Sequence, residues 1–187
     1  VYKGLAMAGD GSAHFRIYAA DFHNGKIDVI DSGFAKTSVA GGFVDPKIPA
    51  TFHPFNIMNI QGNLYVAYAL CCEPGGDDEV AGPGLGFVDV FDVDGNLVKR
   101  VASRGKLNAP WGLALAPAGF GRFSHHLLVG NFRDGTISAY DPDDFHFAGQ
   151  LRGTNHQSLV IDGLWGIAFG NGFQQQPATT PFFAPGP

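Results

Sequence analysis

The sequence predicts an all-β fold, a β-propeller, of which this chain holds about three and a half blades of four antiparallel strands each. One observation is a short apolar motif that occurs four times: Tyr2-Lys3-Gly4-Leu5-Ala6, Pro54-Phe55-Asn56-Ile57, Pro110-Trp111-Gly112-Leu113-Ala114 and Leu164-Trp165-Gly166-Ile167-Ala168. Measured at Gly4, Asn56, Gly112 and Gly166, the steps are 52, 56 and 54 residues, close to known blade lengths. A second observation is the 27 glycines, which suit many short strands joined by tight turns.

The third copy of the motif opens one complete blade. Its apolar and alternating segments predict four strands, at 110–116, 127–132, 136–140 and 145–151. A connector rich in Gly and Pro, residues 117–121, separates the first two strands. Arg133-Asp134-Gly135 predicts a tight turn in which Gly supplies the positive φ. Four consecutive antiparallel strands form one propeller blade.

The other blades follow the same pattern in chain order, within the predicted limits 1–49, 50–108, 109–161 and 162–187. Blade one is expected to hold strands at 3–8, 15–22, 26–31 and, more weakly, 36–40. Blade two is expected to hold strands at 55–60, 64–69, 87–93 and 97–102. Blade four is incomplete, with a second strand at 181–184, and no helix is predicted.

Composition narrows the classes of partner. The chain is 45% hydrophobic and 16% charged, which suits a sizeable core. Its net charge of −5 and its dispersed basic residues argue against a nucleic-acid surface, and no apolar run is long enough to span a membrane. A propeller ring needs roughly four to eight blades. We therefore expect a second chain or a missing segment of the same chain to complete the ring.

Polar residues cluster in the loops of one predicted face. In a propeller, the turns between second and third strands and the linkers between blades lie on the same face, so their side chains could bind a cation or a small polar ligand near the axis. The competing interpretation is that Asx residues beside Gly only serve backbone hydrogen bonds of tight turns. The candidate ligand-binding residues are Asp21, His23, His53, Asn56, Asn108, Asn131, Arg133 and Asp162.

The one long insertion, residues 70–85 of blade two, contains Asp77-Asp78-Glu79. These carboxylates are a weak candidate metal site, with Ca²⁺ as the candidate cofactor, because adjacent acidic residues lack the alternating spacing of a calcium loop. A solvated acidic loop is the competing interpretation. The neighbouring Cys71-Cys72 form either a strained vicinal disulfide or two separate thiols.

The chain resembles a family of bacterial and plant propellers known as conserved hypothetical proteins, some of which carry PEP-CTERM sorting tails. More distantly the unit is similar to NHL repeats. The resemblance implies a ring of six blades and an extracellular or otherwise exported protein, and it implies no activity. It is carried by residues 18–29, 54–57, 80–92, 108–114 and 162–166, which include Ala20-Asp21-Phe22-His23-Asn24-Gly25 and Asn108-Ala109-Pro110-Trp111-Gly112.

The topology is also similar to that of calcium-dependent lactonases of the gluconolactonase type, in which an Asn commonly precedes the Gly of the inner strand and reaches an axial metal. Here those positions hold Lys3, Phe55, Trp111 and Trp165. The two tryptophans are expected to pack between blades rather than to form a stacking platform. The sequence therefore favours a non-catalytic exported binding or scaffolding propeller that recognises a protein or saccharide on its axial face. The alternative is a metal-dependent hydrolase or lyase built around Asp21, His53 and Asp162.

Overall fold

The computed structural model describes residues 1–9, 14–71 and 76–186. Within these residues, fourteen strands form three antiparallel sheets of four strands and one sheet of two strands. The strands of each sheet follow one another in chain order, which is the meander of a propeller blade. The prediction of an all-β partial propeller is therefore confirmed.

Each sheet lies within one of the predicted blade limits. Blade one contains β1 (Tyr2–Gly9), β2 (Phe15–Asp21), β3 (Lys26–Ile30) and β4 (Lys36–Thr37). Blade two contains β5 (Phe52–Ile60), β6 (Asn63–Leu70), β7 (Gly86–Phe91) and β8 (Leu97–Ser103). Blade three contains β9 (Pro110–Leu115), β10 (Leu127–Asn131), β11 (Ile137–Tyr140) and β12 (Phe147–Gln150). Blade four contains β13 (Leu164–Phe169) and β14 (Pro181–Pro185).

Two local differences from the predicted elements have physical reasons. The fourth strand of blade one is only two residues long, because Lys36 and Thr37 are both exposed and bury nothing against a neighbour. A 3₁₀ turn, Gly121–Phe123, lies at the end of the predicted connector and buries Phe123. No α-helix, and no helix long and apolar enough to cross a membrane, occurs among residues 1–9, 14–71 and 76–186.

The core consists of one apolar layer at each interface between neighbouring blades. Tyr18 and Ile57 lie in the layer between blades one and two, and Val90 and Leu113 in the layer between blades two and three. The third layer joins Leu128 of blade three to Ile167 of blade four. A fourth cluster, described below, lies where the inner strands begin. Face-to-face packing of successive sheets therefore positions the loops of all four blades.

Candidate functional site: an axial aromatic face

Each inner strand has a β-bulge at the same position of the repeat. In the pairing of β1, β5, β9 and β13 with their neighbours, one residue of the inner strand is skipped. A bulge leaves its extra residue unpaired and turns that side chain in a new direction, and bulges are frequent next to functional sites. The skipped residues are Lys3, Phe55, Trp111 and Trp165.

Three of the bulged residues and two loop phenylalanines form what we call the axial cluster: Phe22, Phe55, Trp111, Phe132 and Trp165. Trp165 is central, since its ring centroid lies 5.4 Å from that of Trp111, 5.9 Å from that of Phe55 and 4.2 Å from that of Phe132. Phe22 and Phe55 are wholly buried, whereas the other three rings are partly exposed. Aromatic side chains from all four blades therefore meet at one place, where those of blades three and four present surface to solvent.

Polar contacts connect the inner strands beside this cluster. The indole Nε1 of Trp111 donates to the carbonyl oxygen of Lys3 at 3.0 Å, which joins blade three to blade one. The Nδ2 of Asn56 donates to the carbonyl oxygen of Trp111 at 2.7 Å. The predicted packing role of Trp111 agrees with these contacts, although its ring also remains partly open to solvent.

The acidic insertion, of which the structure describes residues 70–71 and 76–85, spans the same face. Asp77 Oδ1 lies 2.9 Å from His23 Nδ1, and Asp78 Oδ1 lies 3.7 Å from Lys3 Nζ, both in blade one. Glu79 Oε1 instead lies 2.6 Å from Arg133 Nε in blade three. The insertion of blade two is thus held to both neighbouring blades by ion pairs.

These ion pairs bear on the predicted calcium site. Asp77, Asp78 and Glu79 each face a different basic residue, so the three carboxylates do not converge on one point. Within the part of the chain that the structure describes, no group of three or more His, Cys, Asp or Glu side chains could hold a metal ion. Cys71 is buried, while Cys72 lies outside the described residues.

Two of the predicted ligand-binding residues, Asn108 and Asn131, instead form hydrogen bonds with loops of the protein. The amide of Asn108 accepts the backbone N–H of Gly82 at 2.8 Å and donates to Asp134 Oδ2 at 3.0 Å. The amide of Asn131, wholly buried, accepts the N–H of Asn108 at 3.0 Å and donates to the Lys106 carbonyl at 2.7 Å. Because their hydrogen bonds are used within the protein, we assign Asn108 and Asn131 a structural role.

The residues of the predicted hydrolase group are not joined to one another. Asp21 accepts the side-chain N–H of Asn24 at 2.7 Å, and His53 Nδ1 lies 2.6 Å from the carbonyl oxygen of Phe22. Burial acts to raise the pKa of Asp21, but hydrogen bonds, chiefly that from the Asn24 side chain, outweigh it and lower that pKa. Asp162 is exposed and lies outside these contacts.

Sequence reasoning named the polar loop residues and missed the aromatic surface as the centre of the site. The sequence predicts that Trp111 and Trp165 pack between blades rather than form a stacking platform, and it marks Lys3 and Phe55 only as residues that replace metal ligands. The signal that could have found them was the residue preceding Gly or Asn in each copy of the motif. Phe22 and Phe132 also occupy equivalent places, directly after the second strand of their blades.

Two curated relatives are both proteins of Acanthamoeba polyphaga mimivirus, and no family model matches the chain. Uncharacterized protein R648 is 38% identical over 172 residues, which are 90% of this chain and 41% of that protein. Uncharacterized protein L690 is 38% identical over 172 residues, which are 90% of this chain and 44% of that protein. The chain thus spans about two fifths of these relatives. Its membership of the bacterial and plant family remains a prediction.

Solved structures support the fold. A protein described as a candidate gluconolactonase matches with a TM-score of 0.61 and 17% identity over 91% of this chain and 54% of its own. An exo-β-1,3-galactanase of Phanerochaete chrysosporium matches with a TM-score of 0.53 and 13% identity over 90% of this chain and 41% of its own. An auxiliary nutrient-binding protein of Bacteroides ovatus matches at 0.53 and 11%, over 90% of this chain and 43% of its own. Enzymes and a binding protein share this architecture, so these matches show the fold alone.

Proposed function

We propose that this chain is the non-catalytic, ligand-binding part of an exported β-propeller and that its axial face binds a saccharide. The observation that carries the proposal is the repeated bulge, which directs Phe55, Trp111 and Trp165 into one partly exposed aromatic cluster. A bulge at the same position of every inner strand favours a role for the residue that it redirects. Because we propose that the propeller is exported, the protein should be found outside the cytoplasm when its native source is fractionated.

A saccharide suits this surface because a sugar ring has an apolar C–H face and a rim of hydroxyl groups. Aromatic rings bury apolar surface at low entropic cost, and polar groups around them fix the orientation of a ligand. Here the aromatic surface is bordered by exposed polar groups, namely the imidazole of His23 and the carboxylates of Asp77 and Asp78. The auxiliary nutrient-binding protein among the structural neighbours has a similar fold, which supports a binding role.

We further propose that additional blades complete the ring in the full protein. Alternate residues of β1 differ sharply in exposure: Ala6 and Ala8 pack against blade two, while Leu5 and Met7 are 64% and 59% exposed on the other face. In a propeller, such a face is covered by the preceding blade. The greater length of both mimivirus relatives supports this proposal.

Tryptophan fluorescence tests the proposed saccharide site directly, because the only two tryptophans of the sequence, Trp111 and Trp165, both lie in the axial cluster. We expect short gluco-, galacto- or chito-oligosaccharides to change the emission in a saturable way. Trp165→Leu should lower the affinity about tenfold, because it removes aromatic packing surface. Phe147→Leu is the matched control, since Phe147 is exposed on β12, away from the cluster.

Two results would contradict the proposal. In the first, a protein partner changes the tryptophan emission but no oligosaccharide does. This result would favour protein recognition on the axial face. The other is hydrolysis of gluconolactone by the chain that stops when a chelator is added, which would favour the metal-dependent alternative.

A further inference from the structure

A pocket of about 240 Å³ lies between blades one and two and is lined mostly by the linker that joins β4 to β5. Both of these blades have all four strands, so the pocket does not occupy the place of a further strand. A cavity of about 150 Å³ is enough to hold benzene, so this pocket can hold a small organic molecule. The polar side chains of its described lining are Asp45 and Tyr68, and none of its lining residues belongs to the axial cluster.

Three aromatic side chains, Phe43, Phe52 and Tyr68, line this pocket, and each is more than nine-tenths buried. The ring of Phe52 packs edge-on against that of Phe87, with the two centroids 4.7 Å apart. The ring centroid of Phe43 lies 5.3 Å from that of Phe91. Aromatic rings attract cations to their negative faces. Because neighbouring rings hold them in place, these side chains are positioned before a ligand arrives, which favours affinity.

The hydroxyl of Tyr68 has no hydrogen-bond partner within the part of the chain that the structure describes. Burial, together with the charges of Asp89 and Asp45, raises its pKa well above the ordinary value, so the hydroxyl keeps its proton. The unpartnered polar atoms that are sealed from solvent are Asp89 Oδ2 and Ser138 Oγ, and the Tyr68 hydroxyl is not one of them. This hydroxyl is therefore available to a ligand in the pocket that Tyr68 lines.

The charges beside the pocket lack one cation. The carboxylates of Asp45 and Asp89, 3% and 0% exposed, share the single guanidinium of Arg100. When both are ionised, this buried group carries one more negative charge than positive charge, which is unfavourable away from water. The guanidinium of Arg104 stacks 5.5 Å from the ring centroid of Phe52, but Arg104 does not line the pocket. The described lining thus contains one carboxylate and no basic side chain.

We propose that the pocket between blades one and two binds a small quaternary ammonium that carries a hydroxyl group. The cation packs against the aromatic rings close to Asp45, in the way that aromatic sites recognise quaternary ammonium groups. Such a cation needs no hydrogen-bond acceptor, which suits Asp45, because its oxygens already accept from the Lys47 N–H at 2.7 Å and from Arg100. The hydroxyl of the ligand forms a hydrogen bond with the hydroxyl of Tyr68.

Choline is the probe that tests this proposal, and dimethylbutanol, in which carbon replaces the nitrogen, is the neutral comparison of the same shape. Calorimetry and ligand-observed NMR of the methyl protons, on the intact chain, should show that choline binds. Dimethylbutanol should bind at least about tenfold more weakly, because only the cation is attracted by the rings and by Asp45. Equal binding of the two, or no binding of choline, would overturn the proposal.

Variants locate the binding to this pocket. Tyr68→Phe should weaken choline about fivefold and leave tetramethylammonium, which has no hydroxyl, unchanged. Asp45→Asn should weaken both cations about tenfold, because it removes the carboxylate charge. Tyr65→Phe is the matched control, since Tyr65 packs against the layer between blades two and three, on the other face of β6, and it should change neither affinity.

An unchanged choline affinity in Tyr68→Phe or in Asp45→Asn would contradict the contact that the variant removes, and an unchanged affinity in both would refute the site. The saccharide titration followed by tryptophan fluorescence should be the same in all three variants as in the wild type. This comparison separates the cation pocket from the function of the axial face, so either proposal can fail while the other holds.

Discussion

Asp89 of β7 is a completely buried carboxylate with an incomplete set of partners. Its Oδ1 accepts from Arg100 Nε, and the same guanidinium also reaches Asp45 in the linker between blades one and two. Its Oδ2 has no hydrogen-bond partner among the described residues. Burial, only partly opposed by Arg100, raises the pKa of Asp89 to about 7. Tyr68 on β6 is the remaining titratable neighbour, and burial raises the pKa of its hydroxyl well above the ordinary value.

We predict that ionisation of Asp89 lowers the free energy of unfolding as the pH rises. The folded protein holds the proton of Asp89 more tightly than the unfolded chain does. The stability that this proton contributes is therefore complete below about pH 4 and is lost as the pH rises through about 7. Asp89→Asn removes the titration and keeps an acceptor for Arg100. Urea denaturation should therefore show a flatter pH profile for the variant and a higher free energy of unfolding above about pH 7.

Asp45→Asn is the matched control for this experiment. Although burial acts to raise its pKa, hydrogen bonds from the Lys47 N–H and from Arg100 hold the pKa of Asp45 below the ordinary value. Asp45 should therefore contribute stability that is lost as the pH falls, the opposite direction to Asp89. Identical pH profiles for the wild type and Asp89→Asn would contradict the assignment.

At the level of elements, the acidic insertion makes equivalent contacts with two blades. His23 and Arg133 occupy the same place in the turns that follow β2 and β10, and each faces one carboxylate of the insertion. The two contacts differ in burial. The side chain of Glu79 is 3% exposed, whereas those of His23 and Asp77 are 43% and 55% exposed. The contact with blade three should therefore contribute more to stability.

Arg133→Gln should lower the free energy of unfolding by about 1–3 kcal/mol, because it leaves the buried Glu79 carboxylate without its cation. His23→Gln, in the exposed pair, should change it by no more than about 1 kcal/mol. A double-mutant cycle with Glu79→Gln, measured by chemical denaturation, should give a coupling energy between Glu79 and Arg133. Equal losses in Arg133→Gln and His23→Gln would show that burial does not decide the strength of these pairs.

The strands were predictable to within a few residues because alternation and turn chemistry are local properties. Gly135, for example, has the predicted positive φ of 66°. The bulges were not predictable in this way, since skipping Trp111 or Trp165 depends on the register with the neighbouring strand. The expected placement of the polar site residues on loops was wrong for Asp21, His53, Asn56 and Asn131, which lie within β2, β5 and β10. The partners of Asn108 and Asn131 likewise depend on contacts between blades that the sequence does not show.

For the whole molecule, the exposed face of blade one is the feature that most requires explanation. Leu5, Met7 and Phe15 are each more than half exposed there. We predict that the isolated chain associates through this face and that Leu5→Lys combined with Met7→Lys abolishes the association. Sedimentation velocity at several concentrations measures it, and Val98→Lys, at an exposed position of β8, is the control. A wild-type chain that stays monomeric at all concentrations would argue against association through the exposed apolar face of blade one.

Asn56 makes blade two different from the other three repeats. Its side-chain oxygen occupies the space that a side chain at Gly4 would need, and its side-chain nitrogen is bonded to the backbone of blade three. The equivalent positions in the other blades are Gly4, Gly112 and Gly166, so only blade two can make this bridge. A shuffled arrangement that placed blade two elsewhere would leave a buried amide without its acceptor. One residue thus breaks the near-symmetry of the repeats and opposes misordered assembly.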